Sequence, residues 1–471
     1  MTFQNSRLRR TSLALLTAGS LFVAGAASAV AQTPFTTLDS KTDAQVRFSA
    51  SDRGAPVEAG STVNVAGRGF EPGQQVSLLY GTTPLAQATA NEKGEIATQI
   101  TIPANASAGI YPVVVLVQEP YYATIAELKV SPTIPLSGQD QFQISEAQVT
   151  RGLYQSAYSA KNNAIFVTSS VGRPPVKEAA LVKLDADSLD VLAQVTPASA
   201  PASATRPGRD PGLYAVYGVG VDDAHDTVWV TNTRQNTVAV YNQSDLSLVK
   251  QFAPDTVAHA RDVLVDETLN KAFASATGKP EVVVFDTATP EVSKTITIDS
   301  KQWGEQFSSA SLSLDQDAHR LYVASLSTNE VAVIDTQSDE VEKVLPVPGA
   351  KMAIGIAHDP GTNRIFVAAS GSDNLIVLDG DTGDVIADTP IGAMPLNVAF
   401  DPQTNHVYVA SRVSGSIAVA DVNGNILANL GPAPMANHVA LGKDGVVYAV
   451  DKSAGALDTE GDRVLRISPR K

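Results

Sequence analysis

The 471-residue chain contains no cysteine. That absence excludes disulfide staples, thiol nucleophiles, thiolate metal sites and anchoring through a lipidated N-terminal cysteine. Acidic residues are missing before Asp39, although Arg7, Arg9 and Arg10 stand near the start. Beyond the first 31 residues no apolar run is long enough to span a bilayer. Catalytic signatures are missing too: there is no Gly-x-Ser-x-Gly elbow, no His-Glu-x-x-His, no P-loop and no Gly-x-Gly-x-x-Gly after a strand. The sequence therefore assigns no catalytic residue, no metal ligand and no cofactor.

The first feature present is a leader. Arg7, Arg9 and Arg10 form a charged region, Leu13 to Ala27 an apolar stretch, and Ala29-Val30-Ala31 a small-x-small cleavage site. Together they predict a signal peptide over residues 1–31 and an exported protein, periplasmic, cell-wall-associated or extracellular. Thr11-Ser12 follow the arginine pair where a twin-arginine signal wants apolar residues, so general secretion is expected. The formal net charge is −15, and losing the leader's three arginines takes it to −18. A chain that acidic repels nucleic acid and anionic membrane, which disfavours both as partners.

Residues 32–55 read as a polar linker without clear periodicity. Residues 56–131 hold six short β-like runs separated by turn signals such as Pro72-Gly73 and Asn91-Glu92-Lys93-Gly94, the pattern of a small sandwich. The stretch Gly67-Arg68-Gly69-Phe70-Glu71-Pro72-Gly73, with Val76 after it, resembles the opening of bacterial immunoglobulin-like (Ig-like) domains. Ser131-Pro132 to Pro135 ends this unit.

From residue 140 to 471 the chain repeats itself. Six segments pair an apolar run ending near an acidic residue with an aromatic-centred strand, and Asp222, Asp266, Asp315, Asp359 and Asp401 mark five of them at spacings of 44, 49, 44 and 42 residues. Periods of roughly 40–50 residues with several short strands each signify propeller blades. Each repeat supplies strands a to d, and a degenerate repeat from Leu153 makes seven. The last repeat ends within four residues of its third strand, Arg463–Ile467, leaving a sheet edge open. A spare strand, Gln141–Val149, is expected to fill that place and close the ring.

Val228-Trp229-Val230-Thr231-Asn232, with looser copies at Leu321–Ser325 and Val407–Ser411, resembles the signature strand of YVTN-repeat propellers. Gly152 to Ser159 and Asp462 to Ile467 are similar to the two ends of YncE-type propellers. The resemblance implies an exported seven-bladed propeller over about residues 140–470. The expected fold class is thus all-β: an Ig-like β-sandwich followed by a seven-bladed β-propeller closed by an N-terminal strand.

Function is less legible. Asp379-Gly380-Asp381-Thr382-Gly383-Asp384 looks like a calcium loop, but its Gly falls early and no bidentate Glu follows, so it reads as a c–d turn capped by its own Asp. His225, His319 and His406 read as exposed turn residues. The a–b and c–d turns collect aspartates on one face. The d–a and b–c loops on the other collect cations, among them Arg206, Arg209 and Lys452. Arg234, His259, Arg261, Lys351, Arg412 and His438 are the ligand-binding candidates there, for an anionic small molecule or a cell-envelope component. The leading reading is a monomeric, non-enzymatic binding protein. The alternative is a lactonase-type propeller hydrolase using Asp262, His259, Arg261 and His438 at the channel mouth, and the third a nucleic-acid binder.

Overall fold

The computed structural model describes residues 43–202, 208, 210–452, 458 and 460–470; the predicted leader, Arg206 and Arg209 lie outside them. Its first unit has seven strands: β1 (Gln45–Ala50), β2 (Thr62–Arg68), β3 (Gln75–Tyr80), β4 (Thr83–Thr89), β5 (Ile96–Thr101), β6 (Gly109–Val117) and β7 (Tyr122–Val130). They form two sheets, ordered β1-β2-β5 and β4-β3-β6-β7. Alternate residues face inward, so Val63, Val65 and Ile100 of one sheet meet Val76, Val113, Val115 and Leu128 of the other in a shared core. Strand β1 falls inside the stretch read as a linker. Val46, Phe48 and the small Ala50 give it an apolar alternation, and all three are only half-buried at the sheet edge, too weak a pattern to stand out from sequence.

Beyond the sandwich, the described residues form seven four-stranded antiparallel sheets. Their innermost strands, a, are Leu153–Ser159, Val216–Asp222, Ala260–Asp266, Ser309–Asp315, Ala353–Asp359, Pro395–Asp401 and Ala436–Leu441, belonging to blades 1 to 7. Blade 7 is completed by β8 (Phe142–Gln148), which pairs with its third strand from Arg463↔Gln148 to Pro469↔Phe142. The ring is closed as the open edge required. Arg463 reinforces the seam, bonding Glu146 of β8 and the buried Asp451 of strand b, each at 2.9 Å. Across the next seam, Asp462 accepts the backbone N–H of Gly152 at 2.7 Å and of Leu153 at 3.2 Å.

Between blades the core is aromatic and aliphatic. Trp229 is fully buried with Phe252 and Phe285 against it, ring centroids 6.1 and 5.5 Å away. Truncating such a side chain to Ala costs about 3–5 kcal/mol. The marker aspartates close the a–b turns: Asp222 accepts His225 N, Asp315 accepts Ala318 N and Asp401 accepts Gln403 N, all at 3.0 Å. Asp379 does the same in its c–d turn, taking Asp381 N and Thr382 N at 2.9 Å. Three turn histidines expected in solvent are instead half-buried, and His225 pairs with Asp222 at 2.9 Å. Among the described residues no helix is long and apolar enough to cross a membrane.

The sandwich is fastened to the propeller. Buried Asp373, in the b–c loop of blade 5, takes Lys129 Nζ and Ser131 Oγ from the end of the sandwich, both at 2.7 Å. The linker beyond runs along blade 6, where Asn429 donates to Ile134 O at 2.8 Å.

Candidate functional site

Every strand a opens with a break in register against strand b, so that one extra residue is squeezed in. The skipped positions are Tyr154-Gln155, Tyr217-Gly218, Arg261-Asp262, Ala310-Ser311, Ile354, Leu396 and Asn437 in blades 1 to 7. A β-bulge bends its strand and re-aims a side chain. Here the bulges turn Tyr154, Gln155, Tyr217, Arg261, Ile354, Leu396 and Asn437 into the wall of one cavity of about 310 Å³ at the mouth of the central channel.

The bulges leave backbone N–H groups without ladder partners, and the repeat signature supplies the remedy. Thr231, the Thr of the Val-Trp-Val-Thr-Asn strand, accepts Gly218 N at 2.8 Å, and Ser275 accepts Asp262 N at 3.1 Å in the next blade. Thr231 also donates to Arg261 O at 2.9 Å, tying one bulge to its neighbour. Gly218 is needed at this approach, because a Cβ there would lie 2.1 Å from Arg261 O. The motif that marks the fold thus builds the mouth.

Loops complete the wall. Arg234 and Arg412 enter from the b–c loops of blades 2 and 6, and His259 and Met394 from the connections opening strands a of blades 3 and 6. His259 and Met394 hold left-handed backbones, φ 44 and 58. Each is pinned by the preceding blade: Asn236 Oδ1 accepts His259 N and Asp373 Oδ1 accepts Met394 N, both at 2.8 Å.

Five of the six sequence candidates therefore meet: Arg234, His259, Arg261, Arg412 and His438 line one cavity. Lys351 does not join them. It forms an ion pair with Glu127 on β7, because the sandwich docks over its loop. The contrast between faces is also milder than counting loop charges implies. The aspartate-rich face carries its own cations, with Lys271 on Asp339 at 2.8 Å and Arg320 on Glu342 at 3.0 Å. Positive charge is concentrated at the mouth instead.

Two tyrosines missed by sequence reasoning organise that charge. The rings of Tyr154 and Tyr217 meet edge to face, centroids 4.3 Å apart. Arg234 lies 5.7 Å from the centre of the Tyr217 ring and donates from Nε to its hydroxyl at 3.2 Å. Lys452 Nζ lies 3.3 Å from the centre of the Tyr154 ring. Burial, then Tyr217, push the Tyr154 phenol up to about 12, so it stays protonated. Burial pulls the Arg412 guanidinium below its usual value, and burial followed by Arg234 and Arg261 lowers His259. Among the described residues neither Arg234 nor Arg412 has a carboxylate within ion-pair distance, and Arg412 Nε has no hydrogen-bond partner.

Deeper in, Gln155, Asn397 and His438 line both this cavity and a larger one on the side of the a–b turns. Gln155 Nε2 donates to Asp262 Oδ1 at 2.7 Å, and Asp262 Oδ2 accepts Leu312 N at 3.2 Å. His438 takes Ser156 N on Nδ1 at 3.4 Å, and burial lowers it to about 4, with Asp262 opposing the shift and Arg261 adding to it. It is neutral at pH 7. Among the described residues no three His, Asp or Glu side chains are grouped to hold a metal ion.

The walls are two-sided. Blades 1 to 3, with Arg412 of blade 6, present cations and aromatic faces; Ile354, Met394 and Leu396 of blades 5 and 6 present an apolar flank.

No family model matches the chain. By sequence it is similar to YncE of Escherichia coli strain K12 and YncE of Salmonella typhi, 25% identical over 250 residues. That match takes in 51% of this chain and 65% of the relatives, so the chain covers just under two-thirds of their length. By structure it is similar to a streptogramin B lyase, with TM-score 0.52 and 13% identity over 70% of this chain and 98% of the other. A virginiamycin B lyase from Staphylococcus aureus with quinupristin gives 0.53 and 11% over 70% and 100%, and U3-55K gives 0.54 and 12% over 70% and 99%. At such identities the likeness is one of fold. The chain is an all-β protein with a propeller fold, and about half of the chain is similar in sequence to YncE.

Proposed function

We propose that this is an exported binding protein whose propeller holds a small anion with an apolar flank at the channel mouth. Arg412 carries the reading. A desolvated guanidinium without a carboxylate partner is costly, and an anionic ligand would relieve that cost through charge-assisted hydrogen bonds. Arg234 and Arg261 converge on the same cavity, and the side formed by Ile354, Met394 and Leu396 suits a hydrocarbon or ring. A cavity of about 310 Å³ suits a small molecule. The sandwich, read as an Ig-like module, acts as a spacer beside the mouth, and the whole works as a monomer.

An enzymatic alternative, of which the lactonase-type hydrolase is one form, draws support from the propeller fold shared with proteins named as lyases. His438 weighs against it. An imidazole titrating at about 4 is a weak base at neutral pH, where a general base should titrate near 7.

The test uses thermal shift and calorimetry with phenylacetate, its uncharged isostere phenylacetamide, and acetate. Phenylacetate should stabilise the wild type and an Asp286→Ala/Asp335→Ala/Asp379→Ala control. It should fail on the Arg234→Ala/Arg261→Ala/Arg412→Ala variant, and binding of phenylacetate should fall at least ten-fold there. Phenylacetamide should not bind, and acetate should bind more weakly. An equal response from the arginine variant, or loss confined to the control, sinks the proposal.

A further inference from the structure

The space at the mouth continues beyond the propeller. A second cavity of about 560 Å³ lies in the cleft between propeller and sandwich, and Met394 lines both. Arg412 stands in the mouth, and the next residue, Val413, stands in the cleft. A ligand held by Arg412 can therefore run outward between the two units. On the sandwich side Phe48, Ser49 and Ala50 of β1 line the cleft in succession. Side chains of a strand alternate between its faces, so three residues in a row place the cleft against the strand's edge. That edge is open. In the sheet ordered β1-β2-β5, β1 pairs with β2 and, among the described residues, has no strand on its other side. Across the cleft the backbone is already engaged, since Val413 N and Ser414 N both donate to Ala393 O, at 3.1 and 3.2 Å. An unpaired strand edge is a template for a further strand.

We infer that the ligand of this mouth is the C-terminal end of an extended peptide, its carboxylate on Arg412 and Arg234 and its preceding residues paired with the edge of β1. Three features of a peptide end match three of the site. The carboxylate meets guanidinium groups that have no carboxylate within ion-pair distance among the described residues. An apolar last side chain meets Ile354, Met394 and Leu396. The main chain, rising about 3.3 Å per residue, offers alternate N–H and C=O groups to β1. Pairing through the main chain supplies affinity without reading side chains, so selectivity rests on the free carboxylate and the last residue.

The inference rests on the anion-binding reading, and the experiment separates the two. Acetyl-phenylalanine, the peptide acetyl-Thr-Val-Thr-Phe with a free carboxylate, and its C-terminal amide are titrated into the full-length protein by calorimetry. Hydrogen exchange of the β1 amides is followed by mass spectrometry. The peptide acid should bind at least ten-fold more tightly than acetyl-phenylalanine. It should also slow exchange across Gln45–Ala50, which acetyl-phenylalanine should leave unchanged. The amide on wild type, and the peptide acid on Arg412→Ala, should each bind at least ten-fold more weakly. Methylating the Val and both Thr nitrogens of the peptide should cancel the gain from length. Equal affinity of the two acids, unchanged exchange in β1, or undiminished binding of the amide, of the methylated peptide or to Arg412→Ala overturns the peptide assignment. If neither acid binds but phenylacetate does, the peptide assignment falls alone; if none of the three binds, the anion reading falls with it. The wild-type titrations decide the matter even if Arg412→Ala fails to fold.

Discussion

The cost of Lys452 has a sign that can be read from pH. Its folded value of about 7 lies below the ordinary 10.5, so between those values the unfolded chain binds more protons than the folded one. Stability therefore rises with pH across that window, and the full penalty applies below about 7. Lys452→Met removes the buried charge and keeps the stem. It should raise the melting temperature at pH 6 and leave it nearly unchanged at pH 10.5, measured by thermal melts at the two pH values. Greater stabilisation at the higher pH would contradict the assignment. His438 works in the other range. Its value of about 4 lies below 6.5, so stability is lost as pH falls between them, and His438→Gln should flatten that decline in melts from pH 7 to pH 4.

At the scale of strands, closure depends on the seam between β8 and the last strand of blade 7. Arg463 is the shared partner of exposed Glu146 and fully buried Asp451. Removing an arginine that leaves a buried carboxylate unpaired costs about 3–5 kcal/mol, whereas losing an exposed partner costs about 0–1 kcal/mol. Arg463→Ala should therefore destabilise the propeller strongly and Glu146→Ala hardly at all, as read from urea denaturation. Equal small effects would mean that the backbone ladder alone seals the ring. The pairing itself was legible in the sequence, because a repeat one strand short and a spare strand upstream leave one solution. Strand β1 was not, because an edge strand with only two large apolar side chains and one alanine, all half-buried, carries little periodic signal.

At the scale of the molecule, one carboxylate joins the two units and the mouth. Asp373 accepts Lys129 and Ser131 from the sandwich and also the backbone N–H of Met394, whose side chain lines the mouth. Lys129→Ala/Ser131→Ala should release the sandwich without unfolding either unit. Limited proteolysis should then cut the linker between Ser131 and Gly138 several-fold faster, with the melting temperature of the propeller within a few degrees of wild type. Unchanged cleavage would show that the Lys351–Glu127 pair and the Asn429 contacts suffice to hold it. The sandwich also explains why Lys351 misled. Charge and loop position placed it with the binding residues, but only docking reveals that Glu127 is its partner.

The sequence alone determined the all-β class, the seven repeats and their closure, because these follow from local periodicity and from turns that recur at a fixed spacing. It also nominated Arg234, His259, Arg261, Arg412 and His438, since the alternation of loops in a propeller sends every d–a and b–c connection to one rim. Tertiary structure decided which cations remain unpaired, that Tyr154 and Tyr217 stand among them, and that Lys452 joins the cluster. The physical reason is the bulge that opens strand a. One inserted residue per blade turns side chains from the alternation of a strand into the channel, and that displacement exists only once strand b lies beside it.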